Sequence, residues 1–125
     1  MTPTLYPTLD EALELHSVLL ARFGGAGGVR DLGLLESALS RPQTGYYDTL
    51  TLQAAALLQS LVMNHAFVDG TKRVAFALTA IFLRMNGPRL RVPADEGERF
   101  LIDSVIARRV ELADIASWLE RHSGG

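Results

Sequence analysis

His65-Ala-Phe-Val-Asp-Gly-Thr-Lys-Arg73 runs directly into Val74-Ala-Phe-Ala-Leu-Thr-Ala-Ile-Phe-Leu83, and this stretch decides how the rest of the chain reads. The second part is continuously apolar if threonine is allowed, and Arg73 and Arg84 bracket it. That is about half of the roughly 20 residues a membrane span needs. It predicts a buried helix, apolar nearly all round, at the centre of a helical bundle. The first part lies between this helix and an earlier apolar segment. It concentrates an imidazole, a carboxylate, a glycine, a hydroxyl and two cations in one loop and the helix turn after it.

Working outward, the apolar segment before the loop predicts a helix from about Leu50 to Asn64, and the one after it a helix from about Gly70 to Met85, closed by Asn86-Gly87-Pro88. Thr8 and Glu11 form a capping-box pair. Leu9, Ala12, Leu13, His16, Leu19, Leu20 and Phe23 then recur at helical spacing, and Gly24-Gly25 stops that helix. Asp31 caps a second helix through Leu34, Leu35, Ala38 and Leu39, which Arg41-Pro42 ends. Residues 42–49 read as an exposed loop. Leu90 and Val92 suggest a short extended piece. Helices follow from about Asp95 to Arg108 and from Val110 to Arg121, and Gly124-Gly125 reads as a frayed end. The expected fold class is all-α, a compact bundle of about six helices in a single domain spanning residues 1–125.

Bulk properties narrow the function. The 125 residues are 48% hydrophobic, with enough chain to bury one core without staples. There is no cysteine, which excludes disulfides and thiolate metal sites and suits a reducing, cytoplasmic setting. The net charge of −2 gives no electrostatic case for direct nucleic-acid binding. The opening Met-Thr-Pro-Thr-Leu-Tyr lacks the cationic-then-apolar pattern of a signal peptide, and no membrane partner is expected.

The chemistry of the loop follows from its charges. Lys72 and Arg73 fall in the first turn of a helix, where the dipole favours acids. Two cations there require either acidic partners from elsewhere or a bound anion. Exposed backbone N–H groups of the same turn would add to an anion's field, and Gly70 permits close approach. Together these favour a phosphate site. Asp69 reads either as the helix N-cap or as a Mg²⁺ ligand, since one carboxylate plus substrate phosphates is how proteins usually hold that ion. His65, four residues earlier, reads either as a structural histidine or as a general base, a role that suits an imidazole side chain. Phe67 should plug the core and fix the loop.

Other candidates are weaker. Gly24-Gly-Ala-Gly-Gly28 lacks the Gly-Lys-Ser/Thr ending and preceding strand of a phosphate loop, and reads as a flexible connector. His16 lies on an apolar stripe and reads as a packed or boundary residue. His122 reads as solvated. No histidine spacing suits zinc. Ser60, Ser104 and Ser117 lack the glycine context of a nucleophile elbow. Trp118 reads as core.

The run from His65 to Arg73 resembles the signature of the Fic/Doc family, in particular its Doc (death-on-curing) toxin branch. The broader Fic pattern is His-x-Phe-x-Asp/Glu-Gly-Asn-Gly-Arg, and Doc-like members carry Lys-Arg at its end, as Lys72-Arg73 does. Gly28-Val-Arg-Asp-x-Gly-Leu-Leu-Glu-Ser-Ala-Leu39 and Phe82-Leu-Arg-Met-Asn-Gly87 are also similar to Doc-like surroundings. One position departs from the pattern: Thr71 stands where the family usually has Asn, and offers one hydroxyl on a shorter arm.

The resemblance implies a helical bundle with the signature between two central helices. It implies a toxin of a toxin–antitoxin module, a kinase that transfers the γ-phosphate of ATP, or of another nucleoside triphosphate, to a threonine of elongation factor Tu and arrests translation. His65 would take the proton from the target hydroxyl and Asp69 would help bind Mg²⁺. Gly70 and Thr71 would contact phosphate, which Lys72 and Arg73 would neutralise. Residues around Tyr46 and Tyr47 would form a flap aligning the target. No Glu has Ser or Thr four positions earlier, Pro7, Asp10 and Leu32 being examples. The inhibitory Ser/Thr-x-x-x-Glu helix of many Fic proteins is therefore missing, and a separate antitoxin chain is the expected inhibitor. Two alternatives use the same residues. One is an AMP or other nucleotidyl transferase, against which Lys72 argues. The other is a catalytically impaired binding module, which Thr71 favours.

Overall fold

The computed structural model describes residues 3–124, and within them the chain forms six α-helices and two two-residue strands. Helix α1 spans Leu9–Phe23. Thr8 Oγ1 accepts from Glu11 N at 3.1 Å and Glu11 Oε1 accepts from Thr8 N at 2.9 Å, the expected capping box. Helix α2, Leu32–Ser40, starts at Asp31, whose Oδ1 accepts from Leu34 N at 3.1 Å. The chain then tightens into a 3₁₀ turn at Arg41–Gln43, with Pro42 near its start. Residues 42–49 are thus only partly the exposed loop expected: Pro42 is buried, and the Tyr47 hydroxyl accepts from Arg41 Nε at 2.8 Å.

Helices α3 (Leu50–Asn64) and α4 (Thr71–Met85) occupy the predicted positions. Their roles differ from expectation. The most enclosed helix is α3, which buries Ala54 through Leu58 and Ser60 through Val62, and packs against α2, α4 and the C-terminal helices. Its three consecutive alanines let neighbours approach on several sides. Helix α4 is one-sided despite its uniform apolarity. Val74, Ala75, Leu78, Thr79, Phe82 and Leu83 face the core, whereas Ile81 is 41% exposed. Apolar composition marks what can be buried; the number of packing partners decides what is.

Strand β1 (Arg89–Leu90) pairs antiparallel with β2 (Ser123–Gly124), so Gly124 is held opposite Arg89 rather than frayed; Gly125 lies outside the described residues. Helix α5 (Ala94–Phe100) continues into a π-helical segment, Leu101–Ala107. The predicted helix from Asp95 to Arg108 is therefore real but widened in its second half. Arg109 has φ +48°, and α6 runs Leu112–Arg121 rather than from Val110. Trp118 is buried and stacks on Phe100, centroids 4.0 Å apart. Its other neighbour is His122 at 4.2 Å. His122 also bonds the Trp118 carbonyl at 2.8 Å and Glu96 at 3.2 Å, so it is a packing residue rather than a solvated one. No helix among the described residues is long and apolar enough to cross a membrane.

Candidate functional site

The loop between α3 and α4 is built by alternating anchored and exposed residues. His65 ends α3 in the left-handed region, φ 52° and ψ 45°. That conformation costs a non-glycine residue about 1–2 kcal/mol and turns the chain sharply out of the helix. Ala66 and Phe67 then sink into the core, at 1% and 2% exposure. The Ala66 carbonyl accepts from Arg30 N at 2.7 Å and Asp31 N at 3.1 Å, and Val68 N donates to the Gly28 carbonyl at 3.2 Å. Phe67 bridges Val29 as a one-residue ladder and lies against His16, ring centroids 4.1 Å apart. Phe67 therefore plugs the core as expected. The His65 side chain is exposed and makes no hydrogen bond among the described residues, leaving both ring nitrogens available.

Asp69 is not the N-cap of α4. That position belongs to Gly70, in the left-handed region at φ 79°, and no side chain caps the helix. The Asp69 carboxylate turns back instead. Its Oδ1 accepts from Gly70 N at 2.8 Å and its Oδ2 from Ala26 N at 3.3 Å. The reason is geometric: Gly70 extends the turn by one residue, so the carboxylate lies before the cap. The first helical bond runs from Val74 N to the Gly70 carbonyl at 3.0 Å. The N–H groups of Thr71, Lys72 and Arg73 have no partner within the helix.

Lys72 and Arg73 are exposed, and neither has a carboxylate within 4.0 Å among the described residues. The Arg73 guanidinium lies 4.9 Å from the Phe23 ring centroid, a cation–π contact worth about 0.5–1 kcal/mol at an exposed site. The dipole-unfavourable pair is thus uncompensated by acids. Thr71 is half-buried at the first helical position. His65, Asp69, Gly70, Thr71, Lys72 and Arg73 all lie on one loop and turn, and the surface there carries positive charge, free N–H donors, one carboxylate and one imidazole. Among the described residues no three His, Cys, Asp or Glu side chains cluster as a metal cage. One exposed carboxylate with spare lone pairs suits Mg²⁺ shared with phosphates, not a closed zinc site.

Concavity does not pick out this surface. A groove of about 790 Å³ between α5, the π segment and α6, with Phe100, Asp103 and Trp118 in its wall, contains none of these residues. Two supports were also unexpected. His16 is 4% exposed, and its Nε2 lies 2.9 Å from the Asp69 carbonyl, so this packed histidine holds the α3–α4 loop from α1. The glycine loop 24–28 is a second wall of the site rather than a plain connector. Gly25 approaches so closely that a Cβ on it would meet Asp69 Oδ2 at 2.7 Å. The density of glycine was the available signal, since positive φ at Gly24, Gly25 and Gly28 excludes most other residues.

Residues 6–83 match the model of the Fic/Doc family, which covers α1 through most of α4 and the whole loop. The chain is 42% identical over 120 residues to Toxin Doc of Mycolicibacterium smegmatis, an alignment covering 89% of this chain and 92% of that protein. It is 33% identical over 82 residues to Protein kinase doc of Escherichia phage P1, covering 62% of this chain and 65% of that one. The all-α bundle, the signature loop between α3 and α4 and the matched span agree: this chain belongs to the Fic/Doc family.

Proposed function

We propose that this protein is the toxin of a toxin–antitoxin pair and acts as a protein kinase, transferring the γ-phosphate of ATP to a threonine hydroxyl of elongation factor Tu. The observation that carries the reading is the α4 N-terminus. Among the described residues Lys72 and Arg73 stand there without acidic partners, beside uncapped N–H groups and an imidazole with both nitrogens available. Such a surface is stabilised by phosphate, and the names of the two relatives, one a toxin and one a protein kinase, point the same way.

In this reading the Thr71, Lys72 and Arg73 amides, with the Lys72 and Arg73 side chains, hold the phosphates, and Gly70 lets them approach. Asp69 would hold Mg²⁺ together with phosphate oxygens; the ion supplies neutralisation of charge on the transferring group. A neutral nitrogen of His65 accepts the proton of the target hydroxyl. The hydroxyl oxygen bonds to the γ-phosphorus, the bond from that phosphorus to the bridging oxygen breaks, and ADP leaves with the electron pair. Phosphothreonine, ADP and one proton on His65 are the products. His16, which grips the Asp69 carbonyl, and Ala26, which donates to its carboxylate, act as positioning groups.

The test uses purified protein, Mg²⁺, elongation factor Tu and ATP labelled at either the α or the γ phosphate, with His65→Ala alongside. Transfer of γ label alone, lost in His65→Ala, is the expected result. Transfer of α label would make the protein an AMP transferase. Absence of transfer from either position would overturn the assignment of kinase and target together.

A further inference from the structure

We infer a second anion site, beside the C-terminal half of α3, that takes a carboxylate or phosphate group between Arg41 and Arg109. It stands independently of the kinase reading. Arg41 follows α2 and its guanidinium is half-buried against α3. Its hydrogen bonds all go to neutral oxygens, and the guanidinium also lies 5.6 Å from the Tyr47 ring centroid. Nε donates to the Tyr47 hydroxyl at 2.8 Å, and Nη1 donates to Gln59 Oε1 at 2.8 Å, Ser60 Oγ at 2.9 Å and the Ala56 carbonyl at 3.3 Å. Among the described residues no carboxylate lies within 4.0 Å of it, and its Nη2 has no hydrogen-bond partner. No buried side-chain nitrogen or oxygen among the described residues lacks a partner, so Nη2 opens to solvent. A partly desolvated cation with its fork fixed, one end free and no counter-ion is prepared for a ligand that brings the negative charge.

The space for that ligand is present. A cavity of about 320 Å³ opens here, and Arg41, Gln59, Ser60, Asn64 and Arg109 provide its polar wall, with Met63 and Val105 apolar. It has two cations and no acid. Arg109 reaches this wall in a left-handed conformation, φ +48°, directly after the π-helical segment. Both features are uncommon in an arginine-bearing turn, and both recur where structure is held for function. A glycine would occupy that φ without strain. The strained arginine is explained if its charge is needed over the cavity.

The proposal predicts that relieving the strain removes the function. The probes are inorganic phosphate and N-acetyl-aspartate amide, titrated into the full chain with the Arg41 Nε–H and Ser60 amide NMR signals followed. Saturable movement with at least one probe is expected in the wild type. In Arg109→Gly the affinity should fall at least tenfold while the thermal midpoint stays equal or rises. In Lys72→Ala, which alters the α4 N-terminus, the movement should persist. The tighter probe distinguishes a phosphate-bearing ligand from an acidic side chain. No saturable movement with either probe, unchanged affinity in Arg109→Gly, or loss of the movement in Lys72→Ala would each overturn the site.

Discussion

Replacing Gly25 by alanine tests whether the glycine loop is a wall of the site. Gly25 has φ +119°, and a Cβ there would lie 2.7 Å from Asp69 Oδ2, 3.2 Å from its Cγ and 3.3 Å from Leu20 Cδ2. The backbone conformation alone costs a residue with a Cβ about 1–3 kcal/mol. The close contacts to Asp69 fall on a side chain, which can swing away only by giving up its bonds from Ala26 N and Gly70 N. Those are worth about 0.5 kcal/mol each in this exposed setting. The total is roughly 2–4 kcal/mol. At about 2.1 cal/mol/K per residue, a chain of 125 residues has an unfolding entropy near 0.26 kcal/mol/K, so the midpoint should fall by about 8–15 °C. Urea and thermal unfolding followed by circular dichroism measure it. The same substitution in an Asp69→Ala background separates the two contributions: strain persists, the clash disappears, and the cost should shrink by about 1 kcal/mol. Equal costs in the two backgrounds would refute the claim that the loop presses on the Asp69 carboxylate.

Four further outcomes are expected. Leu58→Ala, at a fully buried position of α3, should cost about 3 kcal/mol, read as a shifted urea midpoint at constant slope. Gly97→Ala should destabilise despite a helix-propensity gain of about 1 kcal/mol, because its Cβ would meet Phe76 ring atoms at 2.7 and 2.8 Å; adding Phe76→Leu should reverse the sign. His16→Leu keeps apolar contact with Phe67 but loses the bond to the Asp69 carbonyl. It should cost about 1–2 kcal/mol and raise amide exchange at Gly70, measured by hydrogen–deuterium exchange. Hydrogen bonds from the Thr8 backbone and hydroxyl hold the Glu11 carboxyl below the ordinary carboxylate range. Its contribution is present above the unfolded pKa of about 4.3 and is lost as pH falls through the lower folded value. Glu11→Ala should therefore be less stable than wild type at pH 6, and the difference should narrow in acid; a constant difference down to pH 2 would refute the linkage.

Much of the fold was legible because its signals are local. Thr8 with Glu11, Asp31, and the apolar runs around residues 50–64 and 71–85 each act within a few residues of themselves, and the helices formed where those signals lie. The candidate site was legible for the same reason: its loop is contiguous, so side-chain chemistry and helix-dipole polarity could be weighed without tertiary contacts. Less legible was which helix is most enclosed. Uniform apolarity singled out α4, but the crowding of neighbours around the small side chains of Ala54, Ala55 and Ala56 made it α3.

By itself, then, the sequence determined an all-α bundle, the helix boundaries around the loop, and the concentration of His65, Asp69, Lys72 and Arg73 in one loop and the helix turn after it. Only the tertiary structure decided that Asp69 turns back to Ala26 instead of capping α4, that His16 holds its carbonyl from 53 residues away, and that Arg41 and Arg109 face one cavity. Those pairings depend on contacts between distant segments, whose closure is set by packing of the whole core rather than by any local preference.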